Sequence, residues 1–141
     1  MKDFEFESGV VTYRINGKRE VSFNPNDVEF LEKLFTAFGE LDETQAKYQR
    51  QLEKGRGTKE IFAIARKLDE EMRSTIDGVF GEGFCADVFG TMNVNALAKG
   101  LPAWANLILA FMDEVNGALV AEKKQTDSRV KKYVATYKSL K

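Results

Sequence analysis

The chain has no histidine, one cysteine, two prolines and one tryptophan among its 141 residues. Without histidine it lacks the commonest general base near neutral pH and the commonest metal ligand. Ser-His-Asp and Cys-His arrangements within the chain are thereby excluded. The single thiol, Cys85, cannot form an intrachain disulfide, and one thiol without a framework fits a reducing compartment. Long apolar runs are also missing. The longest, Leu101–Met112, is interrupted by Asn106 and ends at Asp113-Glu114, short of the roughly 20 residues a spanning helix needs. The start, Met1-Lys2-Asp3-Phe4-Glu5, has no apolar signal core. These features predict a soluble, cytoplasmic protein.

A net charge of −1 argues against a chain driven as a whole by nucleic acid. The distribution is uneven, however. Residues 25–54 carry seven acids and four bases, whereas residues 122–141 carry seven bases and two acids. The length predicts one domain over residues 1–141 with one modest core.

Residues 3–23 alternate as strands do. Phe4 and Phe6 alternate with acids, Ser8-Gly9 offers a turn, and Val11, Tyr13 and Ile15 alternate with Thr12 and Arg14. Val21 and Phe23 continue the pattern after Asn16-Gly17, a hairpin signal. Parity refines the pairing. A two-residue loop would set Val21 on the face opposite Tyr13. A three-residue loop ending in Gly17 pairs odd with odd and puts Val11, Tyr13, Val21 and Phe23 together. The expectation is therefore a small antiparallel meander over residues 3–23, carried on helices because it is marginal alone.

A helical hairpin is expected over residues 25–80. Its first helix starts at Asn24-Pro25-Asn26-Asp27, with asparagine capping and proline in the first turn. It carries Leu31, Leu34, Phe38, Leu41, Gln45, Tyr48 and Leu52 at helical spacing. Gly55-Arg56-Gly57 breaks it near Lys54, and Thr58, Glu60 and Ile61 restart it. The second helix carries Ile61, Ala65, Leu68, Met72, Ile76 and Val79 and runs to about Asp77. So short a connection forces antiparallel helices. The proximal part, Leu31–Leu41 against Met72–Phe80, reads as core. The distal part, Gln45–Leu52 with Gly55-Arg56-Gly57 and Ile61, is sparsely apolar and reads as a subunit or partner contact.

Residues 81–124 hold a glycine-punctuated turn and a helix from Leu101-Pro102-Ala103-Trp104 to about Lys124. That helix is apolar on more than one face, which predicts burial or a subunit interface. Residues 125–141 read as a basic amphipathic helix with Val130, Tyr133, Val134, Tyr137 and Leu140.

No catalytic, cofactor or metal residues emerge. Neighbouring acids in Asp69-Glu70-Glu71 and Asp113-Glu114 diverge on a helix and read as solvated faces. Gly81-Glu82-Gly83 lacks the Gly-Lys-Ser/Thr of a phosphate loop. Cys85, among Phe84, Ala86 and Phe89, reads as a buried structural thiol. Phe35, Phe38, Phe80, Phe89, Trp104 and Phe111 read as core or interface residues. The basic tail admits two readings: a protein-docking helix, or a nucleic-acid contact in which Tyr133 and Tyr137 stack on bases.

The run Gly78-Val79-Phe80-Gly81-Glu82-Gly83, then Val88-Phe89-Gly90, then Trp104 leading into a long apolar helix, resembles small proteins from the tail gene region of Gram-positive phages and prophages. These are tail assembly chaperones or proteins of unassigned function. The resemblance implies a non-enzymatic role, binding of apolar helical segments of a tape measure protein during tail assembly, and self-association. It carries over no catalytic residue.

Together these readings give an α+β fold, mostly α: a β-meander, a helical hairpin, a buried helix and a basic C-terminal helix. No cofactor is expected. The partner or oligomer interface is assigned to Tyr48, Leu52, Arg56, Trp104, Phe111, Lys131, Lys132, Tyr133 and Tyr137. The alternatives are a nucleic-acid-binding phage regulator using the basic helix and a structural tail component.

Overall fold

The computed structural model describes residues 1–139, with side chains through Lys124 and at Ala135. The fold is α+β and mostly helical, with an N-terminal β-hairpin followed by helices. Strands β1 (Val11–Ile15) and β2 (Arg19–Phe23) pair antiparallel, with Val11 opposite Phe23, Tyr13 opposite Val21 and Ile15 opposite Arg19. The odd-with-odd parity follows the sequence pattern. The loop is Asn16-Gly17-Lys18, however, and so ends one residue later than expected. Asn16 and Gly17 both adopt positive φ, 50° and 70°, and the Lys18 amide donates to the Ile15 carbonyl at 2.9 Å. Closing that turn at Ile15 makes Lys18 the extra residue.

Alternation then sets Tyr13, Ile15, Val21 and Phe23 inward. Thr12 and Ser22 hydrogen-bond outside at 2.8 Å, and Arg14 pairs with Glu20 at 3.0 Å. The expected three-strand meander is a two-strand hairpin. Residues 3–10 are not in the sheet, and Phe4 and Phe6 are 86% and 78% exposed.

Helix α1 spans Val28–Lys54, capped by Asp27, whose side chain accepts from the Glu29 amide. Asparagine was the expected cap. Asn24 is committed elsewhere: its Oδ1 accepts from the Asn26 amide at 2.8 Å and its Nδ2 donates to the Ser8 carbonyl at 2.9 Å. Helix α2 spans Thr58–Phe80 and returns along α1. Gly57, at φ 94°, makes the reversal. The two helices bury Leu34, Ala37, Leu41 and Tyr48 against Leu68, Met72 and Ile76.

Tyr48 corrects the proximal–distal division. It is 3% exposed and belongs to the core, so the core runs further along the hairpin than the apolar count implied. Beyond it, Leu52 and Ile61 are half-buried.

Helix α3 (Phe84–Phe89) buries Phe84, Cys85, Val88 and Phe89. Strands β3 (Leu97–Ala98) and β4 (Leu101–Pro102) form a second small pair that the sequence pattern did not indicate. Its turn needs positive φ at Lys99 and Gly100, 52° and 83°. Helix α4 then runs unbroken from Ala103 to Ser139. The expected division near Lys124 is absent, and Asn116-Gly117 lies inside the helix.

Aromatic rings join the layers. Phe23 stacks on Tyr13 and Phe30, with centroids 4.8 and 4.0 Å away, and Phe80 stacks on Phe111 at 4.4 Å. Phe35 stands outside this core, 60% exposed.

Candidate interaction surface

Helix α4 carries an apolar stripe. Trp104, Ile108, Phe111 and Val115, spaced 4-3-4, are buried against the body. Three more apolar residues of the helix are exposed, Leu109, Leu119 and Val120 at 39%, 56% and 53%. Leu119, four residues after Val115, continues the inner stripe beyond the body, whereas Leu109 and Val120 lie on another side of the helix. None of the residues from Asn116 to Lys124 is buried. The helix continues from there to Ser139. At 1.5 Å per residue that is about 36 Å of helix beyond Val115. The stripe that packs on the body at Trp104, Ile108, Phe111 and Val115 is therefore left uncovered at Leu119, where the helix runs past the body.

A groove of about 610 Å³ lies beside this helix. Its walls are β1 and the hairpin tip on one side and Leu107, Ala110 and Glu114 of α4 on the other. Val88, Phe89, Met92 and Ala98 also line it, whereas no residue of β2 does. The groove therefore opens on the β1 side of the hairpin. Glu114 also acts on Tyr13. Burial, then the Glu114 charge and hydrogen bond, raise the tyrosine's pKa above its usual value.

Two arginines hold the groove's floor in place. Arg19 of β2 pairs with Asp87 of α3 at 2.7 Å and donates to the Glu82 carbonyl at 3.0 Å. Arg73 of α2 donates to the Gly90 and Met92 carbonyls, both at 2.7 Å, and pairs with Asp69 at 2.9 Å. Asp69 in turn accepts from the Val94 amide at 2.7 Å. The half-buried pair is thus bound up with a loop that has no regular structure of its own. Such loops need their backbone groups satisfied by side chains.

This network accounts for the acids that cluster in the sequence. Asp69 serves the loop, and Glu71 accepts from the Tyr48 hydroxyl at 2.7 Å. Asp77 accepts from the Cys85 amide at 2.8 Å. Burial, with the Asp77 hydrogen bond and charge adding, pushes the Cys85 thiol far above the usual thiol range. It is held as a neutral thiol, unlike a nucleophile, which needs its thiolate. Among the described residues no group of three or more Cys, Asp or Glu side chains is arranged to hold a metal ion. Nor is any helix among them long and apolar enough to cross a membrane.

The residues singled out from sequence are not brought to one surface. Tyr48, Trp104 and Phe111 are 3%, 3% and 5% exposed and face the chain's own core. Trp104 meets Phe38 there with centroids 5.8 Å apart, and Phe111 meets Phe80. Little of their surface is open in this chain, although Phe111 also lines the groove. Leu52 is half-buried, and Arg56 is exposed at the hairpin tip, its amide donating to Glu60 at 2.9 Å. The Lys131, Lys132, Tyr133 and Tyr137 side chains lie outside the described residues.

Sequence reasoning missed Met92, Leu97 and Leu109 as exposed apolar residues. The available signal was the apolar girth of the helix after Trp104, which exceeds what one buried face requires.

No curated protein and no solved structure matches this chain. A family of unknown function, DUF6673, matches residues 16–139, a stretch that takes in both arginine clamps and the apolar stripe of α4. The chain belongs to the DUF6673 family.

Proposed function

We propose that this protein is a non-enzymatic assembly chaperone of the phage-tail type. It holds an apolar helical segment of a tape measure protein along α4 and self-associates. The observation that carries this reading is the exposed apolar pair Leu119 and Val120 on a helix that continues past its packed part, where the inner stripe of α4 has no partner in the body. An amphipathic partner helix laid along such a row buries its own apolar face, the usual helix-to-helix recognition mode. The use of Asp69, Glu71 and Asp77 in the chain's own hydrogen bonds also supports a structural rather than catalytic reading. The resemblance of Gly78–Gly83, Val88-Phe89-Gly90 and Trp104 to tail-region proteins supplies the partner class.

Co-expression with the tape measure protein of the same gene cluster tests it. The expected result is a soluble complex that Leu119→Asp with Val120→Asp abolishes. Failure of the wild-type chain to bind the tape measure protein or keep it soluble refutes the reading. Mass spectrometry of purified particles separates a chaperone, absent from the finished tail, from a structural tail component.

A further inference from the structure

The first seven residues carry a strand pattern without a strand. Phe4 and Phe6 alternate with Asp3, Glu5 and Glu7, so an extended backbone puts both rings on one side and the acids on the other. Both rings are exposed and the segment pairs with no other strand. Meanwhile the sheet holds just β1 and β2, which leaves β1 with an unpaired outer edge among the described residues. The groove opens on that side, over Leu107 and Ala110. An unpaired edge above an apolar floor is a template for one more strand.

We infer that the N-terminal arm of one copy adds to β1 of a second copy, with Phe4 and Phe6 seated in the groove. The fit is chemical on both faces. Rings placed downward meet Ile15, Leu107 and Ala110, while the arm's acids, placed upward, share the outer face with Arg14 and run beside Lys18. Arg14 is exposed and held there by Glu20.

The arm does not line its own groove, and its junction at Ser8-Gly9 is pinned to Asn24. The Ser8 carbonyl accepts from Asn24 Nδ2, and the Gly9 amide donates to Glu7 at 3.0 Å. Gly9 sits at φ 75°, and a Cβ there would lie 2.6 Å from Asn24 Nδ2. This junction lies at the open end of the hairpin, whereas the groove borders Tyr13 to Lys18 toward the tip. Neither Phe4 nor Phe6 lines the groove of its own chain, which leaves that groove open to the arm of a second copy. Each copy has one arm and one groove, so reciprocal exchange closes as a two-fold dimer. The inference supplies the self-association of the proposed function and rests on that part of it, while using a different surface from Leu119 and Val120 on α4.

The test uses the full chain. Light scattering across a concentration series is expected to give a dimer. Phe4→Asp with Phe6→Asp is expected to weaken its Kd at least tenfold and to leave Tm unchanged at protein concentrations below the dimer Kd, since the exposed arm makes no core contact. Chains carrying Phe4→Cys, mixed with chains carrying Ala110→Cys and mildly oxidised, are expected to form a disulfide between the two. A monomeric wild type, an unchanged Kd for the aspartate variant, or no disulfide between mixed chains each overturns the inference. So does a chain carrying both cysteines that closes on itself in preference to linking copies. Leu119→Asp with Val120→Asp leaves the dimer intact, which separates this surface from that of the tape measure protein.

Discussion

Tyr48 offers a direct test of where the core ends. Its ring is buried between α1 and α2, and its hydroxyl donates to Glu71, which is itself exposed. Two substitutions separate the ring from the hydroxyl. Tyr48→Phe keeps the ring and frees a carboxylate that water can reach, so the loss is about 1 kcal/mol. Tyr48→Ala removes the ring and leaves a cavity, at a cost of about 3–5 kcal/mol. For a chain of this length the unfolding entropy is about 0.3 kcal/mol per kelvin. The expected falls in Tm are therefore about 3 °C and about 10–17 °C. Urea titration followed by circular dichroism at equal protein concentrations gives both values. Leu52→Glu, one turn further on and half-buried, is expected to cost about 1 kcal/mol. If Tyr48→Ala unfolds within about 0.5 kcal/mol of the wild type, the distal hairpin is not core and the packing argument is wrong.

Alkaline pH gives a second test. The folded-state pKa values of Cys85, Tyr13 and Tyr48 are all raised, for Cys85 and Tyr13 chiefly by burial and for Tyr48 chiefly by the Glu71 hydrogen bond. A raised acid is favoured in the fold while the unfolded group is still protonated. The stabilisation is complete below the unfolded values of 9.0 and 10.0 and is lost as pH rises beyond them. Urea midpoints are expected to hold level to about pH 8 and fall from about pH 9, and a midpoint that rises there contradicts the assignment. Thiol labelling of Cys85 is expected to be slow in the native protein and fast in urea; equal rates would place the thiol at the surface. Arg73→Met removes the donors to Gly90 and Met92 and leaves Asp69 unpaired. An expected loss of about 2–4 kcal/mol, read by urea titration, and faster amide exchange at residues 90–94 follow. Leu119→Asp with Val120→Asp, both exposed on α4 beyond its packed part, is expected to leave Tm within about 2 °C of the wild type, since exposed positions carry little stability.

The elements were largely legible because they rest on local rules. Spacing of Leu34, Leu41, Leu68, Met72 and Ile76 set two helices, and Gly55-Arg56-Gly57 set their reversal. Parity around Asn16-Gly17 set which residues of the hairpin face inward. Local reading failed where two segments compete for the same group. Asn24 has the chemistry of a cap, but its side chain is taken by Ser8 and Asn26, and Asp27 caps instead. Phe4 and Phe6 have the alternation of a paired strand but pair with none among the described residues. Leu97–Pro102 is too short a pair to leave a periodic signal.

The candidate site was less legible than the fold. Aromatic residues mark cores and interfaces alike, so composition could not say that Tyr48, Trp104 and Phe111 face inward while Leu109, Leu119 and Val120 face out. That depends on how far α4 overlaps the body, and no local pattern encodes the overlap. By itself, then, the sequence determined the helical hairpin, the inward face of the β-hairpin, the buried thiol and the exclusion of histidine chemistry. Each follows from residue type and spacing within one element. Only the tertiary structure decided which apolar rows are consumed by the core and that Asp69 and Arg73 serve a loop. It alone brought the hairpin and α4 together around an open groove. Those outcomes depend on contacts between segments far apart in the chain, whose partners spacing cannot name.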